Sequence, residues 1–175
     1  MMRLSWLVLL SGCTVTNYTS ARTLGRGNFE VAAEPAFVQE VGSEEPGGSL
    51  AVSGRLGVTD RLDLGVRLSP FTAGVLSKTA LTDPDAGRVD LALAPSLNTA
   101  WDAEFSPQLL QPSLPLLVGI DVREADQLVL SGGVSYLLFR EDDSRFTLSS
   151  SLGYQLRLGE VAAIQPEVGA LIPVS

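Results

Sequence analysis

The stretch that decides the fold is Leu50-Ala51-Val52-Ser53-Gly54-Arg55-Leu56-Gly57-Val58-Thr59-Asp60-Arg61-Leu62-Asp63-Leu64-Gly65-Val66-Arg67-Leu68. Apolar residues recur at every second position on both sides of Thr59-Asp60-Arg61, with Ser, Arg, Gly and Asp between them. Alternation of this kind puts one side-chain type on each face of a β-strand, and the polar triplet between the runs reads as a tight hairpin.

The same period extends in both directions. Val89, Leu91, Leu93, Pro95 and Leu97 alternate with small or acidic residues, and Leu116, Val118, Ile120 and Val122 alternate with Leu117, Gly119, Asp121 and Arg123. Leu128, Leu130, Val134, Tyr136 and Leu138 follow a short turn at Glu124-Ala125-Asp126. Phe146, Leu148, Leu152, Tyr154 and Leu156 make another run, and Ala162, Ile164, Pro166, Val168, Ala170, Ile172 and Val174 the last. Two further strands are read at 27–39 and 73–81. The count is about nine strands, several much longer than the ~5–6 residues usual in soluble sheets. No amphipathic helix is found from Gly27 onward. The fold expected is all-β: an antiparallel meander closing into a small β-barrel of about 8–10 strands over residues 27–175.

Composition narrows the chemistry. The 175 residues carry 12 Lys+Arg against 20 Asp+Glu, no His and one Cys. Lack of His removes Ser-His-Asp, Cys-His and His-metal chemistry, and one Cys allows neither an internal disulfide nor a Cys-based zinc cage. The acidic balance, −8 at pH 7, argues against a nucleic-acid groove. No catalytic, cofactor-binding or metal-binding residue is assigned, and no cofactor is expected.

At the N-terminus Arg3 precedes the apolar run Leu4 to Leu10, then Ser11-Gly12-Cys13. A positive residue, a short apolar run and small residues make a secretory signal peptide, too short to span a membrane as a helix. Leu10-Ser11-Gly12-Cys13 resembles the bacterial lipoprotein lipobox. The resemblance implies cleavage after residue 12, lipid on Cys13, and a lipidated tether over 13–26. Thr14 stands where an Asp tends to retain such proteins at the inner membrane, so the resemblance leans toward the outer membrane. The alternative is an ordinary signal peptide ending in a chance Cys.

The alternating runs resemble small bacterial outer-membrane β-barrels over most of residues 27–175. Three features accord with that. Short turns at 59–61, 124–126 and 158–160 face longer connections at 40–48 and 98–113 and the acidic 140–144, with 82–87 an exception. Phe146 and Tyr154 share the apolar face of one strand at a spacing of roughly 20 Å along the membrane normal, near the ~25 Å apolar band. Arg55, Asp63, Arg67, Asp121, Arg123, Gln155, Arg157 and Glu167 all fall on the polar face and would pair across a lumen.

Other features depart from the pattern. Aromatics are 6%, lean for two girdles. The chain ends Leu171-Ile172-Pro173-Val174-Ser175 without the terminal aromatic such barrels favour. An odd strand count disagrees with their even numbers. A strand beyond the end, a miscounted strand or a sheet outside the membrane would each account for this. Pro35, Pro95, Pro166 and Pro173 inside strands favour bulges or shorter strands. Period two does not say which face is inside, so a soluble sandwich or lipocalin-like barrel remains open.

Other candidates are weaker. Asp83-Pro84-Asp85-Ala86-Gly87 opens like a calcium loop but lacks the late Glu, so a turn is the better reading. Glu44-Glu45-Pro46-Gly47-Gly48 reads as a flexible acidic loop, and Glu141-Asp142-Asp143 as a solvated tip rather than a cation site. Asp63 and Asp121 would be an acid/base pair only if the fold joined them. Trp101 and Phe105, in the 98–113 connection, suit either an interfacial anchor or packing over the sheet. The function expected is an outer-membrane lipoprotein with a structural or surface-interaction role and no catalysis. Its partners would be outer-membrane lipid and an unidentified cell-surface or periplasmic partner, with no nucleic acid. The alternative is a soluble periplasmic lipoprotein of lipocalin-like or sandwich fold, binding an apolar ligand.

Overall fold

A computed structural model describes residues 8–10, 20–40, 47–83, 87–123, 126–140, 144–158 and 162–174. It is all-β and antiparallel. The strands are β1 (Val8–Leu10), β2 (Phe29–Glu40), β3 (Gly47–Thr59), β4 (Leu62–Leu68), β5 (Thr72–Ala80), β6 (Val89–Leu93), β7 (Ser96–Trp101), β8 (Pro107–Asp121), β9 (Gln127–Phe139), β10 (Ser144–Arg157), β11 (Ala163–Ile164) and β12 (Glu167–Val174). Cys13 lies outside the described residues.

The deciding stretch forms its hairpin as read. Leu56 faces Leu64, Gly54 faces Val66 and Val52 faces Leu68, with an irregularity between Gly57 and Thr59 beside the turn. Prolines break two of the long runs. β6 and β7 both pair with β5 and β8 and are separated only at Ala94-Pro95. β11 and β12 both pair with β10 and are separated at Gln165-Pro166. A missing N–H at each site interrupts the ladder without ending the strand's course. Pro35 and Pro173 stay within their strands, opposite Leu50 and Thr147.

One expectation fails. Residues 98–113 are not a long loop: Asn98 pairs with Gln111 and Leu97 with Pro112, leaving only 102–106 as the connection. The expected contrast between a short-turn end and a long-loop end disappears with it. Connections at one end are 60–61, 81–88, 122–126 and 158–162; at the other they are 41–46, 69–71, 102–106 and 140–143.

With β6–β7 and β11–β12 each taken as one interrupted strand, consecutive strands pair from β2 through to β12, and β1 pairs antiparallel with both β12 and β2, Val8 standing opposite Leu171 and Glu40. The alternation left open which face is enclosed, and burial answers it. Leu50, Val52, Leu56, Leu64, Val66 and Leu68 are each about half exposed, whereas Ser53, Arg55 and Asp63 are buried. The sheet curls around its polar face. The buried apolar cluster is small, comprising Ala21, Ala92, Ala94 and Leu117.

Candidate functional site: the enclosed polar face and the segment across its mouth

A β-strand gives its inward residues no choice of face, so the charges among them must find one another across the enclosed space. Glu34 on β2 pairs with Arg67 on β4 at 2.7 Å and accepts from the Ser53 hydroxyl. Arg55 pairs with Glu30 on the neighbouring strand. Lys78 on β5 and Asp63 on β4 meet at 3.2 Å with almost no solvent exposure. On β6, β8 and β9, the Gln127 amide donates to Asp90 at 2.7 Å and to Asp121 at 3.2 Å.

The segment 20–26 lies across this face at the end where β4 begins and β8 ends. It has no regular structure, as the sequence suggests for a tether, but it is bound. Lys78 Nζ donates to the carbonyls of Ser20 (3.2 Å) and Arg22 (2.5 Å). Leu24 N donates to both carboxylate oxygens of Asp63, at 3.1 and 3.2 Å. Ala21 N donates to Gln127 Oε1 at 3.0 Å, and Thr23 Oγ1 to Asp60 O at 2.7 Å. Arg22 reaches Asp121 at 2.7 Å and Asp90 at 3.1 Å. Burial works against the Arg22 charge, but the hydrogen bond to Asp121 and the two carboxylate charges outweigh it and hold its pKa above the ordinary value.

Two glycines let the segment lie this close. Gly25 takes φ +79°, a left-handed conformation that suits Gly. A Cβ on Gly57 would sit 1.9 Å from the Gly25 carbonyl oxygen. Gly27 N donates to Gly57 O, and Gly57 N to Asn28 O, both at 2.8 Å.

Of the charges expected on the enclosed face, Arg55 and Asp63 are buried there, and Arg67, Asp121, Gln155 and Glu167 are half-buried. Arg123 and Arg157 are exposed. They lie beyond or at the ends of β8 and β10, where alternation no longer fixes a direction. Asp63 and Asp121 are not joined; each holds its own cation, Lys78 and Arg22. Gln111, Asp126 and Gln127, all buried, were missed. So were Glu34, Lys78 and Asp90; each stood at an inward alternate position of a strand that had been read, so the phase alone would have found them. Arg22 had no such signal.

At the opposite end, Asp102 organises the 102–106 turn. Its carboxylate accepts from Glu104 N and Ser106 N, both at 2.9 Å, and from Gln108 Nε2 at 2.6 Å. The Ser106 N–H above all, with Gln108 and Glu104, holds the Asp102 pKa below its ordinary value. Phe105 is held at φ 58° and highly exposed. Trp101 Nε1 donates to Pro70 O at 3.1 Å, so this residue packs at the strand ends and not within a long loop. Asp83 makes an exposed contact with Arg61 at 3.4 Å. Residues 84–86 of the calcium-like stretch, Glu44-Glu45-Pro46 and Glu141-Asp142-Asp143 lie outside the described residues. Among the described residues, no three His, Cys, Asp or Glu side chains are placed to share a metal ion.

Compared with known proteins, the chain matches no family model, no curated protein and no solved structure.

Proposed function

We propose that this chain is an outer-membrane lipoprotein whose sheet closes into a small barrel, its apolar face against lipid and its charges in the lumen. Its role is structural or surface-interacting, without catalysis. The observation that carries this is the inversion of faces: the large apolar side chains look outward and the ion pairs inward. In water, such an arrangement would leave the hydrophobic effect almost nothing to act on. Against hydrocarbon it is the stable one.

Two further observations support it. Phe146 and Leu156 on the outer face of β10 lie ten residue steps apart, roughly 26 Å along the normal at ~40° tilt, close to the ~25 Å band. Among the described residues the exposed aromatics lie towards the strand ends: Phe71, Phe105, Tyr136, Phe139 and Phe146 towards one, and Phe29 at the other. Aromatic rings favour the two membrane–water interfaces.

A lipid at Cys13 lies seven residues before Ser20, within at most ~25 Å of the mouth that residues 20–26 cross. That mouth therefore faces the leaflet holding the lipid, and the 69–71 and 102–106 turns face away. A lipocalin-like reading needs a large apolar interior, whereas the buried apolar side chains among the described residues are mostly alanines, with Leu117, Val129 and Leu171, set among buried charges, hydroxyls and amides.

The test is to prepare the mature chain from Cys13 and compare buffer with micelles. Aggregation in buffer, folding in detergent and a heat-dependent gel shift are expected. A monodisperse β-rich protein without detergent would overturn the reading.

A further inference from the structure

The side-chain ties of the enclosed face are short. Glu30–Arg55 and Asp63–Lys78 join adjacent strands, and Glu34–Arg67 and Asp90–Gln127 reach one strand further. Residues 20–26 reach across many more. On one side Leu24 N donates to Asp63 on β4 and Thr23 Oγ1 to Asp60 O in the turn before it, while Gly27 N, just beyond the segment, donates to Gly57 O on β3. On the other side Ala21 N donates to Gln127 on β9, and Arg22 pairs with Asp90 on β6 and Asp121 on β8. Between them Lys78 on β5 holds the carbonyls of Ser20 and Arg22. Ala21 shares one buried cluster with Ala92, Ala94 and Leu117. Seven residues thus fasten β4 and β5 to β6, β8 and β9.

The wall is weakest at a place these ties do not reach. Val8–Leu10 pairs antiparallel with both β2 and β12, and the proposed cleavage before Cys13 would take that strand away. The two edges left behind run the same way, so their direct pairing would be parallel and less stable.

We propose that Ser20–Arg26 is a brace that holds the curl of the wall and thereby keeps the seam between β2 and β12 closed from a distance. The proposal rests on the lipoprotein reading, through the cleavage that leaves the seam. A chord fixed from β4 to β9 fixes how far the arc between them opens, because side chains packed inside an arc resist a change in its curvature. β2–β3 and β10–β12 extend the two ends of that arc, so the same chord sets the gap between β2 and β12.

The mature chain is prepared in detergent micelles, intact mass reports whether it begins at Cys13, and deuterium exchange is read at β12, which supplies none of the brace's ties. Gly57→Ala places a Cβ 1.9 Å from the Gly25 carbonyl oxygen and leaves every side chain of the brace in place; Gly54→Ala, on the same strand, meets nothing within 4 Å. Amides of β12 are expected to exchange about tenfold or more faster in Gly57→Ala than in the parent, the shift that overpacking of this size produces, and at the parent's rate in Gly54→Ala. Amides of β9 that face β10, well inside the sheet, should keep the parent's rate. If Gly57→Ala does not fold, Arg22→Ala, which releases Asp90 and Asp121, carries the same expectation. A β12 no faster than the parent's, or β12 and β9 accelerated by the same factor as in a general loss of stability, would overturn the brace and leave the lipoprotein reading standing. A chain that still carries residues 1–12 would overturn the cleavage, and with it the seam that the brace holds.

Discussion

Two ion pairs of nearly equal length occupy opposite environments, and the comparison yields a quantitative prediction. Lys78 and Asp63 meet at 3.2 Å with side chains 1% and 0% exposed; Arg61 and Asp83 meet at 3.4 Å with side chains 58% and 56% exposed. Removing one partner of a buried pair costs about 3–5 kcal/mol, because the other charge stays buried and alone. An exposed pair is worth about 0–1 kcal/mol. Asp63 keeps the Leu24 N–H after Lys78→Met, which places the expected loss near 3 kcal/mol, more than a hundredfold in the folding equilibrium. Arg61→Ala should cost less than about 1 kcal/mol. The double variant Asp63→Asn/Lys78→Met should be more stable than Lys78→Met, since no charge is stranded. Urea unfolding in lipid vesicles reads all four chains through Trp101, the one tryptophan left once residues 1–12 are removed. Equal losses for Lys78→Met and Arg61→Ala would refute the reasoning, since they would place Asp63 in bulk-like water.

Three more outcomes are expected. Leu64→Arg should cost roughly 2–4 kcal/mol in vesicles if Leu64 sits near mid-membrane; as Leu64 is half exposed, no loss there would mean the face meets water. Gly57→Ala should force residues 20–26 off the sheet, because the new Cβ would lie 1.9 Å from Gly25 O, whereas Gly54→Ala meets nothing within 4 Å; limited proteolysis within residues 20–26 should accelerate in the first and not in the second. Asp102 has a lowered pKa, so its hold on the 102–106 turn is complete above the ordinary carboxylate pKa and is lost as pH falls through the lowered folded value. Trp101 fluorescence should change in that acid range and lose the transition in Asp102→Asn; a transition that survives the substitution would belong to another group.

Much of the wall was legible because alternation is a local property. Leu62 to Leu68 reads as a strand whatever surrounds it. The polar phase of the runs also named Arg55 and Asp63, which are buried, and Arg67, Asp121 and Glu167, which are half-buried, but not the buried Glu34, Lys78, Asp90 and Asp126. What failed had physical reasons. Leu109-Leu110-Gln111-Pro112-Ser113-Leu114-Pro115 sets two leucines side by side and two prolines close together, which hides the period even though the segment pairs with β7 and β9. Arg22 lies in a stretch without period, and its partners Asp90 and Asp121 come from distant strands. Which face is enclosed is a property of the whole sheet, so no single run contained it.

The strand count has a consequence of its own. If β6–β7 and β11–β12 are each one interrupted strand, β2 to β12 make nine strands of alternating direction, so β2 and β12 run the same way. Val8–Leu10 is antiparallel to both, but the cleavage before Cys13 proposed above would remove it. In the lipidated chain, β2 and β12 must then meet directly in parallel, a less stable pairing, or remain edges. The prolines fit such a seam: Pro35 lies in β2, Pro173 in β12 and Pro166 just before it, and proline is tolerated at sheet edges. Amides of β2 and β12 should therefore exchange with deuterium well before those of β9, whose two neighbours β8 and β10 pair with it along most of its length. Intact mass on the same sample reports whether residues 1–12 are gone. Protection of β12 equal to that of β9 in a chain lacking those residues would mean that another antiparallel strand fills the seam, and the nine-stranded wall would be wrong.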